Sequence, residues 1–159
     1  MIRRLLIVTV LAALGSAAGL APIAAADRPT KEPLPGSDFS GQFCADFPVL
    51  VHVVSDKEFL LTFSGGERAM FAGQAKLELT NLDTGKSITV NASGPGTFSF
   101  DEGTLTFRGS TLLAGEAGFF GPSPRLTLSG GQIVLDLATN AILSETGQST
   151  DLCAVLADP

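Results

Sequence analysis

Alternation of apolar and polar side chains, with a period of two residues, restricts the fold of this chain more than any other feature of its sequence. Six segments between residues 76 and 137 show it, around Leu77, Ile88, Phe98, Leu105, Leu126 and Ile133. Half-buried strands produce this pattern because successive side chains point to opposite faces of a sheet. The stretch from Val49 to Val54 is apolar on both faces, which is typical of a strand covered on both sides. The sequence therefore predicts an all-β fold.

Turn-forming residues separate the alternating segments at intervals of roughly eight to twelve residues. They occupy positions 55–57, 64–66, 83–86, 101–103, 129–131 and 139–140. Short strands at this spacing indicate a barrel or a sandwich, and hairpins without a helical crossover favour antiparallel neighbours in chain order. We expect an antiparallel meander of about eight to ten strands that closes into a barrel, because closure removes exposed edges. A β-sandwich is the alternative.

Two cysteines, Cys44 and Cys153, flank the alternating region. In an exported chain, two cysteines placed at the two ends of a domain indicate a disulfide. The bridge would close a loop of about 110 residues and contribute at most about 4–5 kcal/mol to the free energy of unfolding. Both ends of the domain would then approach within about 7 Å at their Cα atoms. Two free buried thiols are the alternative.

The N-terminal segment has the three parts of a secretory signal peptide. Arg3 and Arg4 give a basic start, the run 5–20 carries no charge, and residues 24–26 are all alanine. This order predicts a helical signal peptide over residues 1–26 that is cleaved at its end. A membrane anchor is the alternative, but glycine, serine and proline interrupt the apolar run. We therefore expect a secreted, extracellular protein with no membrane attachment after cleavage.

Residues 27–43 contain three prolines and two glycines but few large apolar side chains. Such a stretch buries too little surface to offset its chain entropy, so we expect a flexible leader followed by a single β domain over 44–159. Cleavage of the signal peptide removes two of the ten basic residues, and eight then face sixteen acidic ones for a formal charge of −8. That charge, with Lys and Arg scattered singly, argues against nucleic-acid binding.

His52 is the only histidine and the one candidate for acid–base catalysis, because its ordinary pKa lies near neutrality. It could act with Asp46 or Asp136 in an extracellular hydrolase or cyclase if it lines an open cavity beside one of these carboxylates. The sequence has no G-x-S-x-G nucleophile elbow and, once the cysteines are bridged, no free thiol. We therefore favour a histidine satisfied by one hydrogen bond in a core or barrel lining, and expect no catalytic residue.

We expect no metal and no cofactor, since one histidine and two bridged cysteines cannot form an ordinary zinc site and no EF-hand loop occurs. Residues 114–124 fall outside the alternating pattern and surround Phe119 and Phe120 with glycine and proline. Two adjacent side chains cannot both point inward from one strand, so one ring could fill the core while the other covers an opening or a partner. His52, Phe119 and Phe120 are therefore the candidates for ligand binding.

Four motifs of the chain occur together: the turn Asn81–Ser87, the cysteine pair Cys44 and Cys153, the motif Gly94–Gly96 and the C-terminal segment Asp151–Leu156. With these motifs the chain resembles small secreted actinobacterial proteins of unknown function. The resemblance covers about residues 44–156 and implies secretion, a disulfide and β-structure. The group often has an aromatic residue near positions 109–113, where this chain has Ser110 and Thr111. The shared motifs carry no catalytic meaning.

The leading functional hypothesis is a secreted, non-enzymatic binding or interaction module whose partner is a small apolar ligand or an extracellular protein. Export, an acidic surface and the lack of a catalytic set support it. A closed sheet with an apolar inner face and His52 could hold a small apolar ligand. An extracellular enzyme that uses His52 in a barrel cavity and a cell-envelope structural protein are the alternatives. Residues 151–156 are expected to form a short helical turn capped by Asp151.

Overall fold

A computed structural model describes residues 28–157, so the predicted signal peptide and its helix lie outside the described residues. The described chain is all-β and antiparallel, with one short helix at its C-terminal end. Its elements are β1 (Thr30–Pro33), β2 (Phe39–Gly41), β3 (Val49–Asp56), β4 (Phe59–Thr62), β5 (Arg68–Ala72), β6 (Ala75–Asn81), β7 (Ser87–Ala92), β8 (Gly96–Ser99), β9 (Thr104–Gly115), β10 (Arg125–Asp136), β11 (Ile142–Asp151) and α1 (Leu152–Ala157).

The strands form two sheets. Four pairs of consecutive strands each have one strand in each sheet, and we call such a pair a bent ribbon. The larger sheet has the order β1-β4-β5-β8-β9-β10-β11 and the smaller has the order β2-β3-β6-β7. The chain therefore changes sheet at each step from β1 to β2, from β3 to β4, from β5 to β6 and from β7 to β8. Short connections make these steps, at residues 34–38, 57–58, 73–74 and 93–95. We call the region of these four connections the corner, and it positions the site described below.

The expected closed barrel is wrong. Strand β11 pairs with β10, and no pair joins it to β1 or to the smaller sheet within residues 28–157. The physical reason lies in the composition of β11, since residues 144–151 are all polar or glycine and offer no apolar face to close against. The alternative expectation, two sheets packed against each other, is the one that agrees with the structure.

The main core lies between the two sheets. Val49, Val51 and Leu79 of the smaller sheet have no exposed surface and pack in one cluster with Leu126 of β10. Leu112 and Leu128 of the larger sheet are half-buried and complete the contact. Each fully buried aliphatic side chain contributes about 1.5–3 kcal/mol relative to an exposed one, so this interface is the main stabilising contact between the sheets.

The end of the core away from the corner is closed by the predicted disulfide and by α1. Cys44 and Cys153 are bonded, and their Cα atoms lie 5.6 Å apart. The Asp151 carboxylate accepts hydrogen bonds from the backbone N–H groups of Cys153 and Ala154, at 2.9 and 3.3 Å, and so caps the helix as expected. Leu152 and Leu156 of the helix are buried in the main core.

The segment 27–43, expected to be a flexible leader, contains the strands β1 and β2, which pair with β4 and β3. Edge strands can form there without large apolar side chains, because backbone hydrogen bonds hold them to neighbours already in place. The turn expected at 129–131 lies inside the twelve-residue strand β10 instead. A side chain at Gly131 would overlap the backbone of Thr146, so the glycine permits close strand packing rather than a turn.

Candidate functional site

A cleft of about 430 Å³ lies at the corner, between the two sheets. Its walls are mainly apolar and come from both sheets, with Val53 and Leu77 on the smaller one and Phe71, Phe107 and Leu112 on the larger one. Residues 35–37 and Phe39 form a further side. Small-molecule sites have volumes of about 300–1,000 Å³ and mostly apolar walls, so the cleft has the size and surface of a binding site.

Small residues on the inner side of the corner make room for the aromatic rings. A side chain at Gly96 would overlap the ring of Phe71, which lies against that backbone. The Phe71 ring in turn contacts the Phe107 ring edge to face, at a centroid separation of 5.6 Å. Ala75, Ala92 and Gly94 also line the cleft. These small side chains leave open a volume that leucine or phenylalanine would fill.

Two acidic residues of the 3–4 ribbon, the bent ribbon of β3 and β4, line the cleft. The Asp56 carboxylate accepts hydrogen bonds from the backbone N–H groups of Gly36 at 2.6 Å and Glu58 at 2.7 Å. Glu58 is half-buried, and burial, followed by the negative charge of Asp56, raises the pKa of its carboxyl above the ordinary value. Asp56 therefore holds backbone in place, whereas Glu58 presents its carboxyl group in a partly desolvated position.

The connection between β1 and β2 is fastened to the 3–4 ribbon by a second carboxylate. Asp38 accepts a hydrogen bond from the Val53 N–H at 2.8 Å and lies 2.7 Å from Nδ1 of His52. These hydrogen bonds lower the pKa of Asp38, that to Val53 most, while the hydrogen bond and charge of Asp38 raise the pKa of His52. Residues 34–38 therefore form a strap along one side of the cleft, fastened to β3 by Asp38 and Asp56.

His52 lies on the outer surface rather than in a core or cavity. Its side chain is 47% exposed, and it does not line the corner cleft. Its carboxylate partner is Asp38, not the expected Asp46 or Asp136. Asp136 instead accepts hydrogen bonds from the backbone N–H groups of residues 138 and 139 in the turn after β10. The arrangement supports a fastening role for the His52 side chain.

Phe119 and Phe120 lie away from the cleft, over the far end of β9. Their rings meet edge to face at 4.7 Å, and Phe120 packs against a second cluster that contains Leu113 and Ile133. Phe119 is 46% exposed. Thus one ring contributes to the fold while the other is on the surface, but neither lines the corner cleft.

A buried hydroxyl without a hydrogen-bond partner belongs to Thr111 of β9, one of the residues around the cleft. Its Oγ1 atom has no hydrogen-bond partner among the described residues and almost no exposed surface. Gly94 packs against this atom, since a side chain there would come within 3.0 Å of it. An unsatisfied buried hydroxyl costs about 1–3 kcal/mol, so we expect Thr111 to lower the stability of the protein.

The described residues include no group of three or more His, Cys, Asp or Glu side chains that could hold a metal ion. No helix within residues 28–157 is long and apolar enough to span a membrane. No protein-family model matches this chain, and neither the curated proteins nor the solved structures contain a match to it.

Sequence reasoning missed most of the residues that form the cleft. Phe71 and Phe107 are recognisable as apolar strand residues, but nothing in their spacing shows that they meet across a corner. Glu58 follows a turn and carries no motif. Asp38 falls in the segment expected to be flexible. The one signal that could have pointed to the cleft is the concentration of alanine and glycine at residues 92–96, where strands β7 and β8 join.

Proposed function

We propose that the protein is an exported binding module that holds a small, mainly apolar ligand in the corner cleft. The observation that carries the proposal is an apolar cleft of about 430 Å³ lined by three phenylalanine rings, those of Phe39, Phe71 and Phe107. A ligand in this cleft would remove apolar surface from water, which stabilises the bound state by about 25 cal/mol per Å² of apolar area buried. The disulfide between Cys44 and Cys153 is consistent with an oxidising compartment.

The strap supports the same proposal, because it forms one side of the cleft and is attached separately from the strands that form the other sides. Residues 34–38 are exposed and are held to the 3–4 ribbon by the carboxylates of Asp38 and Asp56 and by one backbone hydrogen bond, from the Leu34 N–H to the Glu58 carbonyl at 3.0 Å. A segment attached by a few exposed hydrogen bonds opens at a lower free energy than a core strand does. Movement of this strap would let a ligand enter without disturbing the two sheets.

Binding of the neutral fluorescent probe 1-N-phenylnaphthylamine to the protein purified from culture medium tests the proposal. We expect saturable binding with a large rise in probe emission. Ala92→Phe, which fills the cleft, should weaken binding at least tenfold. Ala138→Phe is the matched control, because the same ring is added at an exposed turn after β10. Absence of saturable binding, or equal loss in both variants, would exclude the corner cleft as the site.

A further inference from the structure

We propose that the ligand of the corner cleft is a cationic amphiphile, with an apolar body between the aromatic rings and an ammonium head beside Glu58. The inference rests on the proposed function and specifies the ligand class for the same site. The cleft would hold an alkyl or aryl amine of modest size. A fatty acid or another anionic lipid would bind more weakly, because of the charge of the wall.

The distribution of charge around the cleft is the first argument. Among residues 28–157, the two charged side chains that line it, Asp56 and Glu58, are both acidic, and no lysine or arginine of that range lines it. A ligand with an anionic head would therefore place like charges together in a partly desolvated space, where their repulsion is stronger than in water. The formal charge of the whole chain, −6, also favours the approach of a cation.

The different situations of the two carboxylates are the second argument. Both oxygen atoms of Asp56 already accept backbone hydrogen bonds. The Glu58 carboxyl group, by contrast, receives no hydrogen bond from any residue in the described range 28–157, although it is half-buried. Partial desolvation disfavours the charged form of Glu58, and an opposite charge within about 4–6 Å would offset this cost. Glu58 is thus the carboxylate of the cleft with which a cationic ligand would form an ion pair.

The aromatic lining is the third argument. The faces of phenylalanine rings attract ammonium groups, and this attraction is stronger in a desolvated site than at an exposed one. Phe39, Phe71 and Phe107 line the same cleft as Glu58. An apolar wall with aromatic rings and one half-buried carboxylate that accepts no hydrogen bond from residues 28–157 matches an amine with a hydrocarbon body better than it matches a neutral lipid, which offers Glu58 no opposite charge.

Displacement of 1-N-phenylnaphthylamine by three ligands with the same chain tests the inference. The ligands are octyltrimethylammonium, octyl sulfate and octanol, each used below the concentration at which it forms micelles. We expect the cation to bind at least tenfold more tightly than the anion at low ionic strength, with octanol between them. Added salt should reduce this difference, because it screens the carboxylate.

Two matched variants locate the charge preference. Glu58→Gln should bring the affinities for cation and anion to within about threefold of each other while probe binding is kept. Glu102→Gln removes the same charge at an exposed turn and should leave the preference unchanged. Equal affinity of the wild-type protein for cation and anion, or a full preference kept by Glu58→Gln, would overturn the inference but not the cleft itself. Failure of the neutral probe to bind would overturn both proposals.

Discussion

Loss of the disulfide should remove a large part of the stability of this protein. The bond joins Cys44, before the first core strand, to Cys153 in α1, across 109 residues of sequence. In the chain-entropy description, a loop of that length lowers the entropy of the unfolded chain enough to contribute about 4.8 kcal/mol at 25 °C. The free energy of unfolding of a domain of this size is about 5–15 kcal/mol, so the tether formed by the disulfide accounts for about a third or more of it.

The two cysteines differ in what a substitution removes besides the bond. Cys44 is 1% exposed and belongs to the main core, whereas Cys153 is half-buried. A double Cys44→Ala, Cys153→Ala variant therefore also loses buried sulfur atoms, which adds about 1 kcal/mol to the cost. Reduction of the wild-type protein breaks the tether and keeps both sulfur atoms. The difference between the two perturbations separates loss of the tether from loss of packing.

Urea unfolding followed by far-ultraviolet circular dichroism measures both effects. The chain contains no tryptophan and no tyrosine, so intrinsic fluorescence gives little signal. With a slope of about 2 kcal/mol per molar urea, the midpoint should fall by about 2 M on reduction. Reductant should leave the midpoint of the double alanine variant unchanged, which serves as the control. A fall of less than about 0.5 M in the wild-type protein would show that the tether contributes little and would refute the reasoning.

Three further perturbations test the corner. Thr111→Val removes a buried hydroxyl that has no partner and keeps the shape of the side chain, so the free energy of unfolding should rise by about 1 kcal/mol in urea titrations; a fall would show that the hydroxyl has a partner. Gly96→Ala forces the neighbouring aromatic ring to move and should cost about 1–3 kcal/mol, with weaker probe binding; unchanged midpoint and affinity would contradict the packing. The pair of His52 and Asp38 should make the attachment of the strap pH-sensitive. The raised pKa of His52 gives a contribution to the stability of the folded state that is complete below pH 6.5 and is lost as pH rises through the raised value. The lowered pKa of Asp38 gives a contribution that is complete above pH 3.8 and is lost as pH falls through the lowered value. Protection of the Val53 amide from hydrogen exchange, corrected for the intrinsic rate, should therefore be greatest between these two pH values, and His52→Ala should abolish the loss on the alkaline side.

Local features of the fold could be predicted from the sequence because they depend on nearby residues. Alternation around Leu77 and Ile88 predicted the hairpin of β6 and β7, and the cysteine pair predicted the bridge. In the turn between them, the Asn81 side chain accepts hydrogen bonds from the backbone N–H groups of Asp83 and Thr84. A pattern of period two gives the faces of a strand but does not say which acceptor a turn selects.

The closure of the sheet could not be predicted in this way, because it depends on contacts between distant strands. Barrel closure would need an apolar face on β11, and the polar residues from Ser144 to Asp151 are exposed on both sides of the strand. The sequence of this segment shows that polarity, but the pairing partner that would have to cover it is not a local property. The bends at the corner also cannot be recognised from the sequence. Strands β3 and β4, for example, form one ribbon that changes sheet at residues 57–58.

The cleft follows from these bends rather than from a special motif. Where four ribbons turn from one sheet into the other, the inner faces diverge and large side chains would be needed to fill the space. Ala75, Ala92 and Gly94 stand there instead, so the space between the sheets stays open. The same small residues interrupt the apolar alternation, which is why they resemble ordinary strand breaks in the sequence. A position that looks like a weak strand end can therefore be the wall of a cleft, and only the packing of the second sheet distinguishes the two.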